Sequence, residues 1–307
     1  MIDVGIINCD NEAAYELVTL LINHPDVKIN WIASSIRPGQ RIDGLIPSLI
    51  GECDLVIVGD TPPLNDIDVV VLCGTQENTR RWLTATTPPP GLRIIDMSGC
   101  HTADLTDGWT YGLPEINRRA LVHDCMRVAM PSPWAIAMLL TLIPLGKNLL
   151  LNAPLRIMVE SGPWMRQTTP SQPEDAVAEV KQALRALQTS FNQEIELHTG
   201  DLNMPRALRV TASMNCDVRV ELLKQLYEEY YDDHNFVFIT DAPMRPTDVA
   251  NTNKCLLHLY KDPSGRLTVS AVMDGMLKGL SGTAVHNLNL IFNLHERVGL
   301  FLKSCRC

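Results

Sequence analysis

The stretch "VAMPSPWAIAMLL" (residues 128–140) runs from a polar loop straight into an apolar helix, where many α/β enzymes present a nucleophile. Its turn holds Pro131, Ser132 and Pro133. A serine such as Ser132 needs a base within hydrogen-bond reach, and no histidine occurs between His123 and His198. Proline supplies neither a nucleophile nor a backbone N–H for an oxyanion. A second gathering is "DMSGCHT" (96–102), which sets Cys100 beside His101. Neighbours in an extended segment point to opposite faces, so His101 is badly placed to activate the thiol. A cysteine is reactive only with a depressed pKa, and Cys100 is expected to be inert. A third is the polar turn "NCDNEAA" (8–14), between a strand and a helix whose N-terminus would attract phosphate. Asp10 and Glu12 add negative charge there, and their repulsion of a diphosphate at contact amounts to about 1–4 kcal/mol.

These turns are held by two kinds of framework. In the first half, "DVGIIN", "KINWIASS", "DLVIVGD", "DVVVLCG" and "RIIDMSG" are short, continuously apolar runs. Such runs suit strands buried on both faces. "EAAYELVTLLINH" between the first two has apolar residues at helical spacing. The pattern predicts a doubly wound parallel sheet, whose ligands sit beyond the carboxyl ends of the strands. Cys125 fits a short strand and the core. Trp134 to Leu145 is too short to cross a bilayer and reads as a buried helix.

After residue 150 the character changes. "LRIMVESG" and "ALRVTASMN" read as strands, and 173–191 and "VELLKQLYEEYYDD" as amphipathic helices, followed by the strand "FVFITD". "KCLLHLYKDPSGRLTVSAVMD" alternates on both sides of "DPSG", which marks a hairpin. A second, α+β domain with a mostly antiparallel sheet is expected. The final "GTAVHNLNLIFNLHERVGLFL" reads as a helix returning to the first domain. The expected division is 1–135, 136–278 and a C-terminal helix over 279–307.

A chain of 307 residues, 46% hydrophobic and 20% charged, suits two ordinary globular domains. Its net charge of −9, with no Lys/Arg block, argues against a nucleic-acid partner. "MIDVGIIN" has no basic region of a signal peptide. Nine cysteines without a framework spacing suit reduced thiols in the cytoplasm. Cys305 and Cys307, two thiols without further ligands, read as a mobile end rather than a metal site. No metal is expected.

Several motifs together resemble the N-acetyl-γ-glutamyl-phosphate reductases of arginine biosynthesis, NADP-dependent relatives of aspartate-semialdehyde dehydrogenase. They are "DVGIIN", "DVVVLC", "RIIDMSG", "YGLPEINR", "ANTNKC" and, most specifically, "MLKGLSGTAVHNLNLIFNLHERVGL". The resemblance covers nearly the whole chain and is weakest over 163–200. It implies a Rossmann-like NADP-binding domain and a second domain that builds subunit interfaces, hence a dimer or tetramer. It also implies a reaction in which a cysteine thiolate attacks an acyl phosphate, NADPH reduces the thioester and a histidine handles protons.

Matched residue by residue, the resemblance also points to losses. The family's glycine-rich "GATGYTG" falls on Asn8 to Ala14, where all three glycines are gone. Asn8 and Asn11 remain as degenerate cofactor contacts. Ser34, Ser35 and Arg37 fall where the family holds the 2′-phosphate of NADP, and Asn287 lies in the nicotinamide region. Pro133 takes the cysteine position of "ANPGCYPTA", and no histidine matches "HRHTPEI". Lys278, Arg206 and Ser98 remain as candidate substrate or anion ligands, with His286 facing the cleft. Two readings follow: a non-catalytic binding or assembly protein on the reductase fold, or an NADP-dependent reductase, with chemistry in place or relocated to Cys100 or Ser132.

Overall fold

The computed structural model describes residues 1–169 and 171–304. In chain order the elements are β1 (Ile2–Ile7), α1 (Glu12–Ile22), β2 (Val27–Ala33), β3 (Val69–Leu72), α2 (Gln76–Ala85), β4 (Arg93–Asp96), β5 (Trp109–Tyr111), α3 (Pro114–Val122) and β6 (Arg127–Ala129). There follow α4 (Pro133–Lys147), β7 (Leu155–Ser161), α5 (Pro163–Thr168), α6 (Ala176–Leu187), β8 (Ile195–Asp201) and β9 (Ala207–Asn215). The chain continues with α7 (Val220–Tyr231), β10 (Val237–Thr240), β11 (Cys255–Lys261), β12 (Arg266–Asp274) and α8 (Gly282–Ile291).

Residues 1–131 and 280–301 form one compact unit, and 132–279 with 302–304 form another. The first boundary falls four residues before the expected one, because Ser132 caps α4 and the whole helix packs within the second unit. The second boundary falls one residue after the expected one, and residues 302–304 group with the second unit.

The first unit carries an all-parallel sheet in the order β2-β1-β3-β4-β6-β5. The centre of the sheet is apolar and buried: all four residues of β3 are buried, as are Ile94 and Ile95 of β4. Between Val4 and Gly5 the register to β2 slips by a bulge. A Cβ on Gly5 would lie 2.3 Å from the Trp31 ring, so only glycine leaves room for that indole. "DLVIVGD" is not a strand. It makes only isolated bridges, Ala33 to Val58 and Arg41 to Val56. Much of its backbone bonds the loop before it instead, through Gly39 N–H to Ile57 O and Ile42 N–H to Leu55 O.

The second unit carries a mixed sheet, β10-β11-β12-β9-β7-β8, with three antiparallel and two parallel pairings. One face of β7 (Leu155, Ile157, Val159) is buried while Arg156 and Met158 are exposed. α4 is buried over Pro133–Gly146 and packs on β9, β12, α6 and α7. β8 escaped the sequence pattern because its alternation is half-exposed on both faces.

The final helix is shorter than its apolar pattern. α8 ends at Ile291, and Asn293 adopts φ +56°, the left-handed conformation that terminates helices. The chain then turns back on α8: Asn289 Nδ2 donates to the carbonyls of Glu296 (3.1 Å) and Val298 (2.8 Å). Cys305 and Cys307 lie outside the described residues.

Candidate functional site

At the carboxyl end of β1, the turn into α1 is closed by its own side chains. Asn8 takes φ +58°, a conformation that asparagine tolerates better than most residues. Its amide packs on Gly74 at the end of β3, where a Cβ would lie 2.7 Å from Asn8 Nδ2. Asn11 caps α1: its Oδ1 accepts the Ala14 N–H (3.0 Å) while its Nδ2 donates to the Cys73 carbonyl (2.6 Å). Between them, Asp10 Oδ1 accepts a hydrogen bond from Ser34 Oγ at 2.7 Å and faces Arg37 Nε at 3.6 Å. Ser34 Oγ in turn accepts the backbone N–H groups of Ile36 and Arg37. The structure thus brings Asn8, Asn11, Ser34 and Arg37 together around Asp10, while Ser35 is exposed beside them. Cys9 is fully buried, and burial, followed by the charge of Asp10, pushes its thiol up to about 12.

A second polar centre is Asp96, buried at the end of β4. Its Oδ1 accepts from Ser98 N–H (2.9 Å), Ser98 Oγ (2.6 Å) and Thr79 Oγ1 (3.4 Å). Its Oδ2 lies 3.1 Å from His101 Nδ1, and the imidazole stacks on Trp109 with centroids 4.0 Å apart. Cys100 and His101 sit in a turn after Gly99 (φ +73°), not in an extended segment. The imidazole is committed to Asp96 and Trp109. Burial, then the Asp96 charge, pushes the Cys100 thiol above its ordinary value. Ser98, a candidate anion ligand, spends its hydroxyl on Asp96.

In the second unit, Ser132 is the N-cap of α4 and its Oγ accepts the Ala135 N–H at 3.2 Å. Pro133 follows in the first turn, a position where its missing N–H leaves no intrahelical bond unmade. A π-helical turn, Leu277–Ser281, passes close to it: a Cβ on Gly279 would lie 2.7 Å from Pro133 Cβ. The turn is anchored by Asp274, whose Oδ1 accepts the Met276 and Leu277 N–H groups and whose Oδ2 accepts the Asn251 N–H. Arg206 donates to the same carboxylate at 3.2 Å and lies over the Trp164 ring. Lys278 is fully buried, with its Nζ 5.9 Å from the centre of the Phe236 ring. Asp274 escaped the sequence analysis. An acid placed just before the helix-entry run "MLKGLSG" is the sequence signal that marks it.

Asn287 and His286 belong to buried packing on α8. Asn287 Nδ2 donates to the carbonyls of Gly112 (2.9 Å) and Thr283 (3.0 Å). His286 Nε2 pairs with Glu296 Oε2 at 2.7 Å, and Arg118 completes the group at 2.5 Å from Glu296 Oε1. His286 is 1% exposed, so instead of facing a cleft it ties α8 to the segment that follows. Among the described residues no group of three or more His, Cys, Asp or Glu side chains could hold a metal, and no helix is long and apolar enough to cross a membrane.

Residues 3–123 match the family of the semialdehyde dehydrogenase NAD binding domain, and 176–275 that of the semialdehyde dehydrogenase dimerisation domain. Curated relatives named N-acetyl-gamma-glutamyl-phosphate reductase align over 99% of both chains. Those of Phocaeicola vulgatus and Parabacteroides distasonis are 40% and 36% identical. The alignments run over 321 positions against 307 residues here, so the relatives carry residues without a counterpart in this chain. Among solved structures, aspartate semialdehyde dehydrogenase II of Vibrio cholerae complexed with ASA superposes with a TM-score of 0.72 at 11% identity, covering 95% of this chain and 98% of that one. Aspartate semialdehyde dehydrogenase with NADP from Candida albicans gives 0.71 at 12%, covering 97% and 99%. At such identities the superpositions establish the shared fold.

Proposed function

Because the chain belongs to the N-acetyl-gamma-glutamyl-phosphate reductase family, we propose that it keeps the family's scaffold without its reduction chemistry and works as a non-catalytic binding or assembly protein. The observation that carries this reading is the start of α4. Ser132 spends its oxygen on the helix cap, and Pro133, which the sequence resemblance sets against the family's cysteine, offers no group that can bond an acyl carbon. Loss of a nucleophile lowers turnover by a factor on the order of a million in a well-studied hydrolase.

The β1–α1 turn supports the same reading, since its residues do not fit a dinucleotide diphosphate. Glycines allow a backbone to approach the diphosphate closely. Here the Asn8 and Asn11 amides and the Asp10 carboxylate fill that approach, and the added charge is of the repelling sign. Arg206, matched to a substrate arginine, is held by Asp274. In this reading the protein is cytoplasmic and associates with further copies of itself, as the dimerisation-domain match suggests. A small anion held at the turn that carries Lys278 is its candidate ligand.

The competing reading, an active NADP-dependent acyl-phosphate reductase of arginine biosynthesis, rests on family membership itself. Relocation to Cys100 meets a thiol raised by burial, and relocation to Ser132 meets a hydroxyl used as a cap. Calorimetric titration with NADPH, run with an acyl-phosphate turnover assay, separates the two. No binding at millimolar NADPH and no turnover is expected. Micromolar binding together with turnover overturns the proposal.

A further inference from the structure

We propose that residues 293–301 form a strap latched to the first unit through His24, closed while its imidazole is neutral and released when the ring takes up a proton. His24 is 3% exposed and lies between α1 and β2, where both ring nitrogens are committed. Nδ1 accepts the Asp26 backbone N–H at 3.2 Å, and Nε2 lies 2.9 Å from Asn289 Oδ1. A backbone N–H can only donate, so Nδ1 carries a lone pair and the ring proton sits on Nε2. The fully buried Asn289 amide agrees with that assignment. Its Nδ2 donates to the carbonyls of Glu296 (3.1 Å) and Val298 (2.8 Å), which leaves Oδ1 to accept from the imidazole. Each group in the row from Asp26 to Val298 thus has one possible role, and the row as a whole requires a neutral histidine.

The strap closes directly on the ring. Gly299, at φ +71°, lies so near that a Cβ there would be 2.4 Å from His24 Cδ2. Turns hold the strap in shape, through the Leu294 N–H to the Asn289 carbonyl (2.8 Å), the Val298 N–H to that of His295 (3.0 Å) and the Leu300 N–H to that of Arg297 (2.9 Å). Leu300 is buried near its end. A second proton on the ring sets Nδ1–H against the Asp26 N–H, two donors with no acceptor between them, and puts a charge in a buried place. Burial holds His24 below the ordinary histidine range, against the opposing pull of the Asn289 oxygen and the Asp26 carboxylate. The other charged or titratable groups gathered here are Glu296 with its partners His286 on α8 and Arg118 on α3, and His295 and Arg297 on the strap itself. An open strap lets the ring take its ordinary value, so closure is complete above that value and is lost as pH falls below it.

The test is hydrogen exchange of the full chain, followed by mass spectrometry at about pH 7.5 and about pH 5.5 and corrected for the intrinsic pH dependence of exchange. Protection of the strap amides, Leu294, Val298 and Leu300 among them, should fall at least about tenfold on acidification, the limit for one proton being about tenfold per pH unit. Amides of β3, at the centre of the first sheet, should keep theirs. His24→Gln removes the titrating ring and should show the same strap protection at both pH values, whatever its level. An NMR titration of the wild-type ring keeps the test decisive where that variant folds poorly. Nε2 should carry the proton at neutral pH, and the second proton should enter as the strap opens. Unchanged strap protection at the lower pH overturns the proposal. So does an equal loss in His24→Gln, which would assign the opening to Glu296 or His286, and so does a parallel loss in β3, which would mark global unfolding. NADPH binding and turnover have no bearing on this outcome, so the function proposed above stands or falls separately.

Discussion

Replacing Tyr231 by phenylalanine removes one hydroxyl from the interior of the second unit. α4 contains Pro144, which has no N–H to give to the carbonyl four residues earlier, that of Leu140. The Tyr231 hydroxyl donates to that carbonyl at 2.7 Å, and the Tyr227 hydroxyl donates to the next one, Thr141. Tyr231 is 3% exposed, so water does not replace the lost donor. A buried carbonyl left unpaired costs about 1–3 kcal/mol. At roughly 2–4 °C of melting temperature per kcal/mol for a domain of this size, the shift is measurable. Urea unfolding of the whole chain, comparing midpoints at unchanged slope, gives the free energy. The decisive arm is the same substitution in a Pro144→Ala background, where residue 144 regains an N–H for Leu140. There Tyr231→Phe should cost less, with a coupling of about 1 kcal/mol. An equal loss in both backgrounds would refute the pairing of tyrosine with the proline's orphaned acceptor.

Alkaline pH tests the buried thiols. The Cys9 thiol has its folded value raised from 9.0 to about 12, so above pH 9 the unfolded chain releases a proton that the folded chain retains. Stability from this group is complete below pH 9 and is lost as pH rises toward 12. Cys9→Ala should flatten the decline in melting temperature over that window, and a decline of the same steepness would count against the assignment. Cys100, also raised, should alkylate with iodoacetamide at pH 7.5 more slowly than a free cysteine, and labelling at the free rate contradicts its placement. Gly162→Ala should destabilise severely, because the new Cβ would lie 1.9 Å from the Met204 carbonyl oxygen, a backbone atom that cannot swing aside. Soluble yield and melting temperature near those of wild type would show that the loop yields.

Fold class was legible in the sequence because burial on both faces writes itself as continuous apolar runs. β1, β3 and β4 follow that pattern, and the hairpin of β11 and β12 follows from alternation around "DPSG". The body of α4 was legible too, since Trp134 to Leu145 is a long apolar run, whereas the role of Ser132 as its cap emerged only in the structure. Legibility failed where pattern and partner part company. "DLVIVGD" is as apolar as a strand, yet much of its backbone bonds a loop. The helical periodicity of the C-terminal stretch runs past Ile291, while the side chains of Asn289 and His286 fold that stretch back on α8.

The candidate site divides in the same way. Residue types alone determined that Pro133 cannot be a nucleophile and that the β1–α1 turn lacks glycine, because those are properties of a side chain and need no neighbours. Which charge neutralises which was decided only by the tertiary fold. Asp10 and Arg37, Arg206 and Asp274, and Arg118 and Glu296 are far apart in the chain and become partners because the fold places them within 4 Å of each other. An ion pair depends on distance in space, to which spacing along the chain is no guide.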